Sequence, residues 1–273
     1  MLLGTYLKFY VSTRRFLVII PIYLFLALLF PALSIAGMIA KPPDVYTYAQ
    51  QALGSFTFAT ALAAGLLAGD AISQDFSRQG LFTLTQPMRR SVVMLARFGS
   101  ATAAATLVVV VTFLLPGFVF SEYFYSEIVP NTLGILGMAI VFIAAVVAFV
   151  VLFSSLFKSP TVSIIVALVV VWIVMPTISG LLPLISGSLE PWFLLTYAGG
   201  AVSDLAQKVY PPHVSQLSAV FGRGENGGGS GSTFTTYTPT VEEALIIMLA
   251  YLALSLILGW LVYSRRELRD VSS

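Results

Sequence analysis

Cysteine is absent from the chain, which excludes disulfides, thiolate metal sites and a cysteine nucleophile. Histidine occurs once, at His213, behind Pro211 and Pro212. A catalytic or metal-binding imidazole needs partners close by, so His213 reads as a plain loop residue and no metal site is expected. Serines and threonines are plentiful but lack a companion base, so no catalytic residue is expected either. Charge is scarce as well: Asp, Glu, Lys and Arg make up 10% of the residues and hydrophobic ones 58%, with a mean hydropathy of +0.94. That balance lies outside the range of water-soluble domains. A net charge of +2 gives no reason to expect nucleic acid as a partner.

The few charges that are present leave wide gaps. None lies between Arg15 and Lys41, Asp44 and Asp70, Arg97 and Glu122, Glu127 and Lys158, Lys158 and Glu190, or Glu243 and Arg265. Each gap exceeds the about 20 residues that an α-helix needs to cross a bilayer. Six gaps predict an all-α membrane protein with spans near 16–39, 45–69, 92–116, 132–157, 161–181 and 244–263, forming a single transmembrane domain over 1–273. Lys8, Arg14 and Arg15 precede the first apolar run, which reaches Ala40 and is too long for a signal peptide. Residues 1–15 read as an interfacial helix, an early start of the first span being the alternative.

Of the 14 basic residues, all but Lys41, Lys208 and Arg223 fall on one side if the N-terminus is inside. The positive-inside rule therefore places both termini in the cytoplasm, in a multi-pass protein of the plasma membrane. Asp70, at the inner boundary of span two, reads as an interfacial residue in contact with water. Gly65 and Gly69 form a small-xxx-small pair suited to packing within the chain. The long outer stretch 182–241 holds an apolar run over 191–202, too short to span and fit for a re-entrant or interfacial helix. A Gly/Ser-rich flexible linker follows over 222–232.

The inner loop 70–91 continues span two, breaks at Gly80, presents Leu81, Phe82 and Leu84 on an apolar turn, stops at Pro87, and anchors the next span with Arg89 and Arg90. The order Asp75, Arg78, Gly80, Leu81, Leu84, Pro87, Arg89, Arg90 and Arg97 resembles the loop after the second span in permease subunits of ABC-2-type exporters. Asp75 and Leu81 stand where that family usually has Glu and Thr. The layout matches too: an N-terminal interfacial helix, six spans, both ends inside, and re-entrant segments between spans five and six. The resemblance implies that Asp75, Arg78, Gly80, Leu81, Leu84, Pro87, Arg89 and Arg90 couple the chain to an ATPase subunit. It further implies two copies of an ABC ATP-binding subunit, a second permease copy or paralogue, and surrounding membrane lipids.

The sequence tests that division of labour. A P-loop wraps phosphates with Gly-x-x-x-x-Gly-Lys-Ser/Thr, yet Lys158-Ser159 is preceded by Phe157 and Leu152 where glycines belong. The chain is therefore expected to bind no cofactor and to be no enzyme by itself, with ATP and Mg held by the partner. Gln51, Ser55 and Thr57 on span two, and Ser163, Trp172 and Thr177 on span five, are the polar or aromatic residues available to line a path. The path is otherwise apolar, pointing to a hydrophobic or amphipathic cargo such as a lipid, drug-like molecule or peptide. The alternatives are an ATP-independent channel or secondary carrier, and a membrane anchor that transports nothing.

Overall fold

The computed structural model of the chain describes Gly4 and residues 14–76, 90–185, 189–221 and 230–265. The interfacial helix expected over 1–15 falls almost wholly outside them, as do residues 77–89 of the cytoplasmic loop. In chain order the elements are α1 (Arg14–Ile35), α2 (Val45–Leu53), α3 (Phe56–Ala68), α4 (Arg90–Val109), α5 (Leu115–Tyr125), α6 (Thr132–Leu156), α7 (Pro160–Val169), α8 (Met175–Ile185), α9 (Leu195–Asp204), strands β1 (Val214–Phe221) and β2 (Ser230–Tyr237), and α10 (Val241–Arg265). They supply six helical stretches long and apolar enough to cross a membrane: Val18–Ile35, Val45–Ala68, Arg90–Tyr125, Thr132–Leu156, Pro160–Leu182 and Val241–Arg265. The protein is an all-α, multi-span membrane protein, as the charge gaps predict.

Three boundaries differ from expectation. Span two is interrupted at Gly54 and Ser55, between α2 and α3. Span three does not stop at Pro116 but continues through α5 to Tyr125, 36 residues in all. The reason is a five-residue π-helical turn, Val110–Leu114, just before the proline, in which the Leu115 N–H bonds the carbonyl of Val110 five residues back. Span five repeats the device: the turn Val170–Val174 precedes Pro176, and the Met175 N–H bonds Val170. A proline ring collides with the carbonyl four residues back and offers no N–H; a widened turn moves that carbonyl away and lets the helix proceed. At 1.5 Å per residue span three is about 54 Å long, more than the hydrocarbon thickness. Its outer end is stitched to the loop after α1: Tyr125 donates to the Pro42 carbonyl at 2.7 Å and Lys41 to that of Phe124 at 2.6 Å. The third difference concerns the Gly/Ser stretch, where residues 230–232 are strand and not linker, Ser230 pairing with Phe221 and Ser232 with Ala219 in the antiparallel β1–β2 hairpin.

Span four is the hub. In its most apolar 18-residue stretch 61% of the residues are buried, against 17% in the corresponding stretch of span one and 22% in those of spans five and six. Small side chains such as Ala139, Ala145 and Ala148 let neighbouring backbones approach, which in lipid substitutes for the missing hydrophobic drive between helices. The outer helix α9 is buried here as well. Gly199 lies so close to Phe142 of span four that an added Cβ would come within 2.7 Å of its ring. The expected re-entrant segment is thus a packed helix, shifted a few residues toward the C-terminus. Tyr23 of span one is fully buried and donates to the Ala59 carbonyl of span two.

Gly65 and Gly69 pack against span five within the same chain. An added Cβ would meet Leu168 Cδ2 at 2.7 Å from Gly65 and Ile164 Cγ1 at 2.5 Å from Gly69. Gly69→Leu is expected to destabilise the protein by roughly 1–3 kcal/mol through overpacking. Gly137→Leu, at a position with nothing within 4 Å, serves as the control. Thermal unfolding in mild detergent checks this; equal midpoints for the two variants would remove the glycine contact from the account.

Candidate functional site at the root of the cytoplasmic loop

Where span two meets the cytoplasmic loop, the chain turns through Gly69–Ile72 into a short 3-10 turn, Ser73–Phe76. A turn at this depth exposes N–H groups that a helix would have satisfied. Span four supplies the acceptor: the Ser154 hydroxyl oxygen takes the N–H of Ile72 at 2.9 Å and that of Ser73 at 3.0 Å. Arg97 of span three, only 8% exposed, donates to the Ala71 carbonyl in the same turn. Asp70 accepts from the Gln74 side-chain amide, and its backbone carbonyl accepts from the Gln74 N–H at 3.1 Å. Asp70 is 3% exposed, which corrects its reading as a water-facing interfacial residue. The chain buries a carboxylate and a guanidinium within one turn of backbone, and charges so placed persist only when hydrogen-bonded.

The loop's far end is held too. Arg90, the first residue of α4, donates to the carbonyls of Tyr263 at 3.2 Å and Ser264 at 3.3 Å and lies over the Tyr263 ring. Those are among the last carbonyls of span six, which a helix end leaves unpaired and an arginine satisfies. The loop thus leaves from spans two, three and four and returns against span six. Of the residues implied in coupling, Asp75 has its backbone in the 3-10 turn and Arg90 makes the contacts above. Arg78, Gly80, Leu81, Leu84, Pro87 and Arg89 lie outside the described residues.

The candidate path residues differ in exposure. Trp172 is 53% exposed and packs on Phe58 of span two, with ring centroids 4.6 Å apart. Thr177 and Gln51 are exposed, and Ser55 is half-buried. Thr57 is half-buried, its hydroxyl 3.2 Å from where a Cβ on Gly199 would sit. Ser163 is fully buried, its hydroxyl without a hydrogen-bond partner among the described residues. It lines no open surface of the single chain. Its neighbour Ile164 fills the space beside Gly69, so this part of span five is turned into the bundle.

At the other end of the bundle a second polar group forms. His213, at the base of the hairpin, lies 3.5 Å from Glu190 and 3.6 Å from Glu243. Its Nδ1 is 2.9 Å from the Thr238 carbonyl. Glu190 also accepts from the Tyr197 hydroxyl at 2.7 Å, and burial together with that bond raises the Tyr197 pKa above the ordinary phenol value. Tyr210 nearby is pushed up to about 12 by burial, so both phenols remain donors across the physiological range. Thr240 and Glu243 form a reciprocal capping box at the start of span six: the Thr240 N–H reaches the Glu243 carboxylate at 2.9 Å and the Glu243 N–H reaches the Thr240 hydroxyl at 3.3 Å. The fold supplies His213 with the partners that sequence neighbours lack.

A family profile described as ABC-2 family transporter protein matches residues 11–268, nearly the whole chain. The chain belongs to the ABC-2 transporter family. No curated protein matches it. An ABC-2 permease is the transmembrane component of a transporter and not itself catalytic, and the family generally works with an ATP-binding subunit. In this permease the loop between spans two and three is the segment tied to the bundle by Ser154, Arg97 and Arg90.

Reading the loop by itself misses Ser154, because a serine near the end of an apolar span carries no sign that it will accept from residues of another span. Arg97 was visible as the last charge before a gap, and its burial was not. Ser154→Ala is expected to leave the Ile72 and Ser73 N–H groups unpaired and to cost about 1–3 kcal/mol. Amide exchange at residues 71–74 should quicken with it. Unchanged exchange there would mean that the hydroxyl is not the acceptor that holds the turn.

Proposed function

We propose that this permease is the membrane subunit of an ABC exporter of the plasma membrane. Two copies, or one copy and a paralogue, form the pathway, and two separate ATP-binding subunits hold ATP and Mg and dock on the loop 70–91. The observation that carries the reading is that the loop is fastened at both ends to different spans. A push on the loop reaches spans two and four through Ser154, span three through Arg97, and span six through Arg90. A loop tied this way moves the bundle rather than bending alone, which is what rigid-body switching between two access states needs. Nucleotide shifts the balance only by its differential affinity for the two states.

Span five supports the second copy. Ile165, Val169, Trp172, Ile173 and Leu181 are apolar and exposed along it. The cargo is hydrophobic or amphipathic, such as a lipid, drug-like molecule or peptide, in keeping with the apolar surroundings of Trp172 and Phe58. An apolar groove of about 230 Å³ between Met94, Leu95, Leu256 and Trp260 suits the acyl chain of a neighbouring membrane lipid.

Purification from native membranes in gentle detergent, with mass spectrometry of what accompanies the chain, tests the reading. The expected partner bears a P-loop and has an ATPase rate that this subunit alters. Asp75→Arg or Gly80→Pro is expected to uncouple that ATPase from transport while the spans still insert. Arg90→Ala, which frees span six from the loop, should lower coupled transport more than ATP hydrolysis. A chain that reproducibly purifies alone and intact, or transport that survives removal of every ATPase, favours the channel, carrier or anchor readings instead.

A further inference from the structure

The outer cluster stands apart from the coupling machinery and has its own chemistry. Glu190 lies between span five and α9, His213 at the foot of β1, and Glu243 in the first turn of span six. One donor atom from each lies within 4.8 Å of the others. The side chains are 23%, 35% and 45% exposed, so the group is open to solutes from the side that the positive-inside rule makes outer.

The tautomer decides what the cluster lacks. A carbonyl oxygen only accepts, so the Nδ1 that faces the Thr238 carbonyl at 2.9 Å carries the proton. In the neutral ring the Nε2 lone pair then points at a Glu190 carboxylate oxygen 3.5 Å away. Two acceptors face each other, and something positive belongs between them. A shared proton would draw them to the about 2.7–2.9 Å of a charge-assisted hydrogen bond. Two ligands on one tetrahedral zinc, each about 2.0–2.2 Å from the ion, stand roughly 3.3–3.5 Å apart. The observed separation matches the second case.

We propose that Glu190, His213 and Glu243 form a binding site for a divalent transition-metal ion of the zinc class, on the outer face of this permease. His213 ligates through Nε2 and Glu190 through the oxygen facing it, while Glu243, whose Oε2 stays on the Thr240 N–H and 3.6 Å from His213 Nδ1, supplies the third ligand through its other carboxylate oxygen. Solvent completes the coordination, as one imidazole and two carboxylates suit zinc. The supports around the ligands are those a metal site uses. The Nδ1 proton is held by a backbone carbonyl, and the second Glu190 oxygen accepts from Tyr197. One Glu243 oxygen is held by the Thr240 N–H. Bound metal joins three segments far apart in the chain and fixes the hairpin to the start of span six.

The test is calorimetric titration of zinc chloride into the full chain in lipid nanodiscs, after stripping with a chelator. Saturable binding of one ion per chain with release of heat is expected, together with a zinc-dependent rise in the unfolding midpoint. His213→Ala and Glu190→Gln should each weaken binding at least tenfold. Tyr197→Phe, which touches no metal, should weaken it about 10–100-fold while the protein elutes as a single species. No binding up to about 1 mM zinc, or binding that His213→Ala leaves unchanged, overturns the proposal. Stabilisation by acid alone, without any zinc heat, would assign the gap to a proton and overturn it as well.

Discussion

A backbone polar group in lipid has no water to fall back on, and the rest of this structure depends on meeting that constraint wherever a helix is interrupted. At the inner end of span two a single serine hydroxyl from span four takes two successive N–H groups. At Pro116 and Pro176 the helix widens by one residue per turn, so that a missing donor does not end the span. At the inner end of span six an arginine from another span meets the last carbonyls. The serine and the arginine are borrowed from another span, so there satisfaction of the backbone is also what ties the spans together.

That borrowing divides the bundle. Spans two, three and four are the most buried and share the polar root of the loop, whereas spans one, five and six are less buried. The division suits a permease subunit. A hub that keeps its shape can carry force, and a periphery that is apolar and unspent can meet lipid or a second copy. Span five does both, because Ile164 and Leu168 are wedged against Gly69 and Gly65 while Trp172 and Ile173 are exposed.

The six spans were legible because charge is excluded from hydrocarbon so strongly that its absence marks a crossing. The small-residue pair on span two and the packed helix near 195–204 were legible for the same kind of reason, a short apolar or glycine signal with one cheap solution. The end of span three was not, because proline is ordinarily a stop, and the widened turn that defeats it is set by the tertiary environment. The burial of Asp70 and the sealing of Ser163 depended on which face of a nearly uniform apolar helix turns inward, and uniform helices have no periodicity to announce it. The group around His213 could not be read from a lone histidine. Only the Thr240–Glu243 capping box had a spacing in the sequence that marks the start of a helix, and it fixes where one of the three side chains stands.

Span six connects the two polar groups. Its first turn carries Glu243 and its last carries the carbonyls that Arg90 holds, both within one helix of 25 residues. Gly259 brings it close to the backbone of Leu152, two residues before the serine that anchors the loop. A continuous helix of this length transmits a shift at one end to the other with little loss, because its interior hydrogen bonds resist stretching. If the loop switches between two positions and the outer group favours one, linkage requires the effect to run both ways by the same factor. An ion that steadies the outer end of span six would then change nucleotide affinity at the inner end only to the extent that the two states place Glu243 differently relative to His213. The sign of that coupling is a property of the geometry of the second state, and a helix held at both ends by side chains from other elements is the kind of part in which such a difference can be stored.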